Sequence, residues 1–229
     1  MHSVNLTDLG PLYYNYSLLG AQNTQRGGMY ALNQLCMERI IVAYILQSLA
    51  KCSTTTSSHV SFTELFCAEG YYTMLARRFG AYVSIGVDNG RDLFFSKAPI
   101  IAKRLGLTRV KFIKADVDNA EALMPTDIVA NVGGLYHVQN PEEILCKSYN
   151  LAKQYLIIQS VVSMATDSPT YFETPAPGWS WGSRYSRQSF DAMIRSKGWN
   201  ILDSHWNELE GSPDPKDRGS VYYLVKKEA

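Results

Sequence analysis

Acidic residues recur in this chain at one kind of position, the end of an apolar, β-leaning run. Glu64 and Glu69 belong to the stretch Glu64-Leu65-Phe66-Cys67-Ala68-Glu69-Gly70, which closes the run Val60–Phe66 and opens a helix at Tyr71. Asp88 ends the next run, Tyr82–Val87, and Asp116 follows Val110–Lys114. A strand that turns through a loop of small residues into a helix is where open α/β sheets hold nucleotide-like cofactors. A pyrophosphate would want G-x-G-x-x-G there, but Phe66 and Ala68 stand where such glycines could sit, and only Gly70 remains. Two carboxylates repel a dianion and suit a cofactor carrying positive charge, an ammonium or a sulfonium. The plainer reading, a turn that is small only because it is tight, weighs less once the other strand ends are counted.

Asp88 lies 18 residues beyond Gly70, the spacing at which an acid accepts two hydrogen bonds from a ribose diol. Asn89 adjoins it. Asp116 suits an exocyclic adenine amine, with Val117 against the ring. Each aspartate also fits a simpler role as a helix or turn cap. The fourth run enters Asn131-Val132-Gly133-Gly134-Leu135-Tyr136-His137, where paired glycines permit close backbone approach by a ligand. His137 is the candidate general base, since an imidazole titrates near neutrality, and Tyr136 is the second candidate. The alternative is a histidine that only holds the loop. Trp181 and Arg184, in the aromatic loop Trp179–Tyr185, and Tyr14 and Tyr16, near the start of the chain, are candidates for an acceptor pocket. Aromatic residues between elements are not needed for the main core. His2, His59 and His205 have no chemical neighbours in sequence, and no metal site can be assembled, so metal independence is expected.

These residues need elements to position them. At 229 residues, 46% hydrophobic and 19% charged, the chain is the size of one large α/β domain with an ordinary core. A net charge of +1 with no long basic run argues against nucleic acid or a membrane surface as the main partner. The N-terminus lacks the layout of a secretory signal, and Cys36, Cys52, Cys67 and Cys146 lack CxxC spacing. A cytoplasmic protein with reduced thiols is expected.

Apolar residues from Leu32 to Leu46 recur at steps of three and four, predicting a helix over Gly28–Ala50, and Ser53–Ser58 reads as a loop. Strands are predicted at Val60–Phe66, Tyr82–Val87, Val110–Lys114, Ile128–Val132 and Tyr155–Val162. Helices alternate with them at Tyr71–Phe79, about Lys97–Leu105, and Pro141–Ala152, the last capped by Asn140 with Glu143 as box partner. Ser186 caps a later helix, with Tyr185 stapled onto Phe190. Two consecutive strands, Trp199–Trp206 and Ser220–Val225, must form an antiparallel pair. The expected architecture is Rossmann-like α/β: a seven-stranded, mostly parallel sheet with a C-terminal antiparallel hairpin and helices on both faces. Residues 1–55 form an N-terminal helical cap or extension and 56–229 the catalytic domain.

Taken together, Glu64–Gly70, Gly86-x-Asp88, Ala115-Asp116-Val117 and Gly133-x-Leu135-Tyr136-His137 resemble the class I S-adenosylmethionine-dependent methyltransferases. The resemblance covers roughly residues 60 to 225. The phrase Leu135-Tyr136-His137 with Asn140-Pro141 is similar to a subgroup acting on small molecules, sugars or tRNA bases. The resemblance implies S-adenosylmethionine as cofactor and S-adenosylhomocysteine as product. It places Glu64 and Gly70 beside the methionine part, Asp88 at the ribose, Asp116 at the adenine, and the backbone of Asn131, Val132 and Gly133 on the far side. It implies Phe66, Cys67, Ala68, Glu69, Asn89 and Val117 as further cofactor-binding residues. It implies methyl transfer to an oxygen or nitrogen of a small acceptor such as a sugar or phenol. A non-catalytic module of the same fold and an enzyme acting on a tRNA base are the alternatives. A nicotinamide-dependent oxidoreductase shares Asp88 but lacks its glycine-rich turn. Sequence does not fix the oligomeric state.

Overall fold

A computed structural model describes residues 3–55 and 59–228, so His2 and residues 56–58 of the Ser/Thr tract lie outside the described residues. The chain opens with two short paired parallel strands, β1 (Val4–Asn5) and β2 (Ala21–Gln22), before the long helix α1 (Met29–Thr55). The buried face of α1 is Met37, Ile41, Tyr44, Ile45, Leu49 and Cys52, one stripe at helical spacing. The helix runs past Ala50, correcting the loop expected from Ser53. Ser53 Oγ donates to the Leu49 carbonyl and Thr54 Oγ1 to that of Lys51, each at 2.8 Å, so these hydroxyls are satisfied inside the helix.

Strand and helix then alternate: β3 (Ser61–Leu65), α2 (Tyr71–Arg78), β4 (Val83–Asp88), α3 (Ala98–Arg104), β5 (Val110–Lys114), β6 (Thr126–Val132), α4 (Pro141–Leu151) and β7 (Ala152–Val162). After β7 come the short pair β8 (Phe172–Glu173) and β9 (Arg184–Tyr185), helix α5 (Arg187–Ser196), and strands β10 (Asn200–Glu208) and β11 (Gly219–Lys226). The main sheet has seven strands in the order β10-β11-β7-β6-β3-β4-β5. Neighbours from β7 to β5 are parallel, while β11 runs antiparallel to both β7 and β10. This is the Rossmann-like sheet with a closing hairpin that the residue pattern predicts.

The two faces of the sheet carry separate apolar layers. In β11, Tyr222 and Leu224 join the layer under α1 and α2, while Val221, Tyr223 and Val225 join the layer under α4 and α5. Strand alternation sends successive side chains to opposite faces, so one strand serves both layers. Leu6, Leu12, Tyr14 and Tyr16 bury in the same layer as Phe62 and Ile128, which ties the N-terminal segment to the sheet.

Helix α5 begins as expected: Ser186 and Ser189 form a reciprocal capping box, and the Tyr185 and Phe190 rings meet edge-on at 5.6 Å. Helix α4 does not. Asn140 sits at the N-cap without a side-chain hydrogen bond, and Glu143 turns to Lys147 at 3.0 Å instead of reaching back. Among the described residues, no helix is long and apolar enough to cross a membrane.

The order of strands places the site. The chain moves outward from β3 to β4 and β5, then returns to β6 on the other side of β3. The crossovers therefore diverge at β3 and β6 and leave a crevice beyond their carboxyl ends. Open α/β sheets bind ligands there.

Candidate functional site

A cavity of about 890 Å³ occupies that crevice. Asp88 and Asn89 enter it from the end of β4, Asp116 and Val117 from beyond β5, Val132 and Gly133 from β6, and Phe66 and Ala68 from the loop after β3. Roughly 300–1,000 Å³ is the usual size of a small-molecule or cofactor site.

The loop after β3 hides its glycine-like geometry behind other residues. Its φ angles are +60° at Phe66, +46° at Ala68 and +76° at Gly70, so every second residue is left-handed. Only glycine adopts that backbone without penalty. At Gly70 the requirement is double, because a Cβ would fall 2.2 Å from the Phe112 ring. Across the crevice, a Cβ on Gly134 would overlap the Phe66 ring at 1.9 Å, so the absent side chain there is what lets that ring lie over the backbone.

The left-handed turn brings the Ala68 N–H to Asp88 Oδ2 at 3.0 Å, while Gly90 N–H donates to Oδ1 at 2.7 Å. Burial raises the Asp88 pKa against these two bonds. Asp116 caps the turn that follows it, accepting from Asp118 N–H, and lies 3.4 Å from Arg91. Gly133 N–H donates to Gln159 Oε1 at 2.8 Å, and Gln159 passes a bond on to Ser220 Oγ at 2.9 Å. A buried glutamine on β7 thus fixes the crevice wall to the closing hairpin. Nothing local in the sequence marks it.

Several expected cofactor residues do not reach the cavity. Glu64 is buried beneath α2, accepting from the Thr73 N–H and hydroxyl, and burial pushes its pKa up to about 8. Glu69 is fully buried and accepts from Tyr13 N–H at 2.5 Å, Tyr14 N–H at 3.4 Å and the Tyr16 hydroxyl at 3.2 Å. Burial lifts its pKa to about 7. Its carboxylate anchors the N-terminal segment. Cys67 is buried next to Gly86, Gly70 faces Phe112, and Asn131 donates to Ser148 Oγ at 2.8 Å, all outside the cavity lining.

The acceptor candidates divide in the same way. Tyr14, Tyr136, His137 and Trp181 line the cavity; Tyr16 and Arg184 do not. Tyr16 is committed to Glu69. Arg184 is held by Asp217, with Nε to Oδ1 at 2.8 Å, and stands 5.3 Å from the Tyr136 ring centre. The His137 ring lies 4.1 Å from that of Tyr136 and 5.0 Å from that of Trp181. Much of His137 is open, but it opens into the cavity and protein encloses it on most sides. That desolvation, then the Arg184 charge, lowers its pKa to about 4. His137 is therefore neutral at physiological pH and a weak base.

Sequence reasoning missed Arg91, Asp92 and Phe94, which also line the cavity, as does Tyr13 beside the expected Tyr14. Arg91, Asp92 and Phe94 belong to the loop just past Asp88, and their closeness to a strand tip was the available signal. Among the described residues, no group of three His, Cys, Asp or Glu is placed to hold a metal ion.

Comparison with known proteins gives the family and the fold. A family model described as a methyltransferase domain matches residues 56–198. The N-terminal domain of EvdMO1, solved with SAH bound, superposes with a TM-score of 0.67 at 17% identity, over 96% of this chain and 93% of that one. Magnesium protoporphyrin IX methyltransferase (ChlM) from Synechocystis PCC 6803, with bound SAM, gives 0.62 at 12% identity over 89% and 86%. Coclaurine N-methyltransferase, bound to N-methylheliamine and SAH, gives 0.59 at 12% over 81% and 73%. At such identities the likeness is one of fold. No curated protein matches the sequence.

Proposed function

The chain belongs to the methyltransferase-domain family, and on that premise we propose that it moves a methyl group from S-adenosylmethionine to an oxygen or nitrogen of a small-molecule acceptor. The observation that carries the reading is the turn from Phe66 to Gly70, left-handed at alternate residues and hydrogen-bonded onto Asp88 at the sheet's switch point. A backbone that takes the glycine shape despite a phenylalanine and an alanine is being held there against strain, and strain of that kind gathers at ligand sites.

The residues present fit the cofactor. Asp88 retains acceptor capacity beyond its two backbone bonds, since a carboxylate offers about four lone-pair sites, and suits the ribose hydroxyls. Asp116 and Val117 suit the adenine edge and face, while Ala68, Val132 and Gly133 bring backbone close to the cofactor's body. Glu64 acts at one remove by tying α2 to the loop through Thr73. When bound, the cofactor supplies an electrophilic methyl carbon: the acceptor's lone pair forms the new bond, the old carbon–sulfur pair leaves on sulfur, and the sulfonium becomes a neutral thioether. The protein's part is to align the acceptor and exclude water, an effect worth on the order of 7–11 kcal/mol in ideal cases. Tyr14, Tyr136, His137 and Trp181 provide the acceptor surface.

Two fold neighbours support a small acceptor: the EvdMO1 domain was crystallised in the presence of SAH and D-fucose, and coclaurine N-methyltransferase with N-methylheliamine. A cytoplasmic location belongs to the same reading and is supported by four free cysteines. Calorimetric titration with S-adenosylmethionine tests the proposal. Binding by the native chain is expected, with Asp88→Ala weakening it about tenfold or more through the lost charge-assisted bonds. No binding at millimolar cofactor would overturn it.

A further inference from the structure

The lining of the cavity has a chemical bias. Asp92, an exposed residue, belongs to it and makes no hydrogen bond or ion pair among the described residues. The Asp118 carboxylate, next to the adenine-side residues Asp116 and Val117, likewise makes none among them, whereas Asp116 has Arg91 and Glu143 has Lys147. The same cavity is lined by aromatic rings from four separate stretches of chain, Tyr13, Phe94, Tyr136 and Trp181, and the Asp92 charge acts on both Tyr13 and His137. Tyr13 and Phe94 meet edge-on at 5.5 Å. Such rings receive cations here already: the Arg26 guanidinium lies 5.7 Å from the Phe94 ring centre and 4.8 Å from that of Tyr30. An unpaired carboxylate in a cavity lined with aromatic rings is the chemistry that receives an organic ammonium.

The same walls disfavour a hydroxyl as nucleophile. A phenol or sugar hydroxyl must lose its proton as it reacts, and a useful base titrates near the working pH. His137, the one imidazole lining the cavity, is held near 4, and Tyr136 is pushed up to about 12. An amine bound as its ammonium first gives one proton to water, and the free amine so formed needs no base at the moment of transfer. Its free form attacks with its own lone pair, and the methylated nitrogen takes over the positive charge that sulfur gives up. It then sheds its extra proton to water.

We propose that the methyl acceptor is a basic amine carried on a flat apolar body, seated between Tyr13 and Trp181 with Asp92 facing its nitrogen. This rests on the methyl-transfer reading of the cavity and narrows it from an oxygen or nitrogen to nitrogen.

The test uses protein saturated with S-adenosylhomocysteine, so that cofactor binding is established first and independently. Three probes of one shape are then titrated by calorimetry: 2-phenylethylamine, 2-phenylethanol and 3-phenylpropionate. The amine should bind about tenfold or more tightly than the alcohol, as a charge-assisted bond predicts, and the carboxylate should not bind. Asp92→Asn should remove the amine's advantage and leave the alcohol's affinity unchanged. An alcohol that matches the amine, a carboxylate that binds, an amine silent at millimolar concentration, or an Asp92→Asn protein that keeps the preference would each overturn the proposal. Failure of S-adenosylhomocysteine itself to bind would instead strike the methyl-transfer reading beneath it.

Discussion

Phe66 and Ala68 take the backbone shape that glycine takes in a cofactor loop, and the cost should be measurable. A left-handed alanine is strained by roughly 1–2 kcal/mol, partly offset when glycine raises the entropy of the unfolded chain. Ala68→Gly should therefore stabilise the protein by a few tenths to about 1 kcal/mol in urea unfolding. Gly70→Ala should destabilise it by about 2 kcal/mol or more, because left-handed strain adds to the collision with Phe112. The buried carboxyls predict a pH dependence of unusual sign. Glu64 keeps its proton up to about pH 8 in the folded chain, whereas an ordinary glutamate loses it near 4.5. Between those values the unfolded state binds fewer protons, so stability is highest below the lower value and declines as pH rises toward the upper one. Glu69 acts the same way up to about 7. His137 acts oppositely, costing stability as pH falls from about 6.5 to about 4. Two carboxyls outweigh one imidazole, so urea midpoints should fall from pH 5 to pH 8, and Glu64→Gln should flatten the fall. Parallel profiles for the two proteins would contradict this.

Elements were legible where their cause is local. Alternation and breakers place β5 at Val110–Lys114, as found, and bring β3, β4, β6 and β7 within three residues at either end. The Ser186 box and the Tyr185 staple lie within a few residues of each other and could be read directly. What could not be read depends on partners far along the chain. Glu69 looks like a cofactor ligand until Tyr13, Tyr14 and Tyr16 arrive from over 50 residues earlier, and Arg184 looks free until Asp217 takes it. The loop's shape was hidden because the usual marker, glycine, is replaced at two of three left-handed positions. The Glu69 anchor gives an element-scale prediction. Removing its carboxylate by Glu69→Ala should release the segment before α1, speeding hydrogen exchange at the Tyr13 and Tyr14 amides about tenfold or more while β6 and β7 stay protected. Unchanged exchange at those two amides would show that packing alone holds the segment.

At the scale of the molecule, the sheet order does the positioning. Because β4 and β5 lie to one side of β3 and β6 to the other, residues separated by more than 60 positions, from Phe66 to Gly133, meet across one crevice. The antiparallel hairpin is not a remote appendage, since β11 reaches the crevice wall through Ser220, Gln159 and Gly133. Asp88 and Asp116 share the cavity, while Glu64 supports the loop from beneath. The most direct test of this arrangement is a crystal structure grown with S-adenosylhomocysteine. The account predicts the ribose against Asp88, the adenine beside Asp116 and Val117, and the sulfur turned toward the wall formed by Tyr136 and Trp181. Density for the ligand in the surface groove beside Arg187 and Trp206, with the crevice empty, would contradict it.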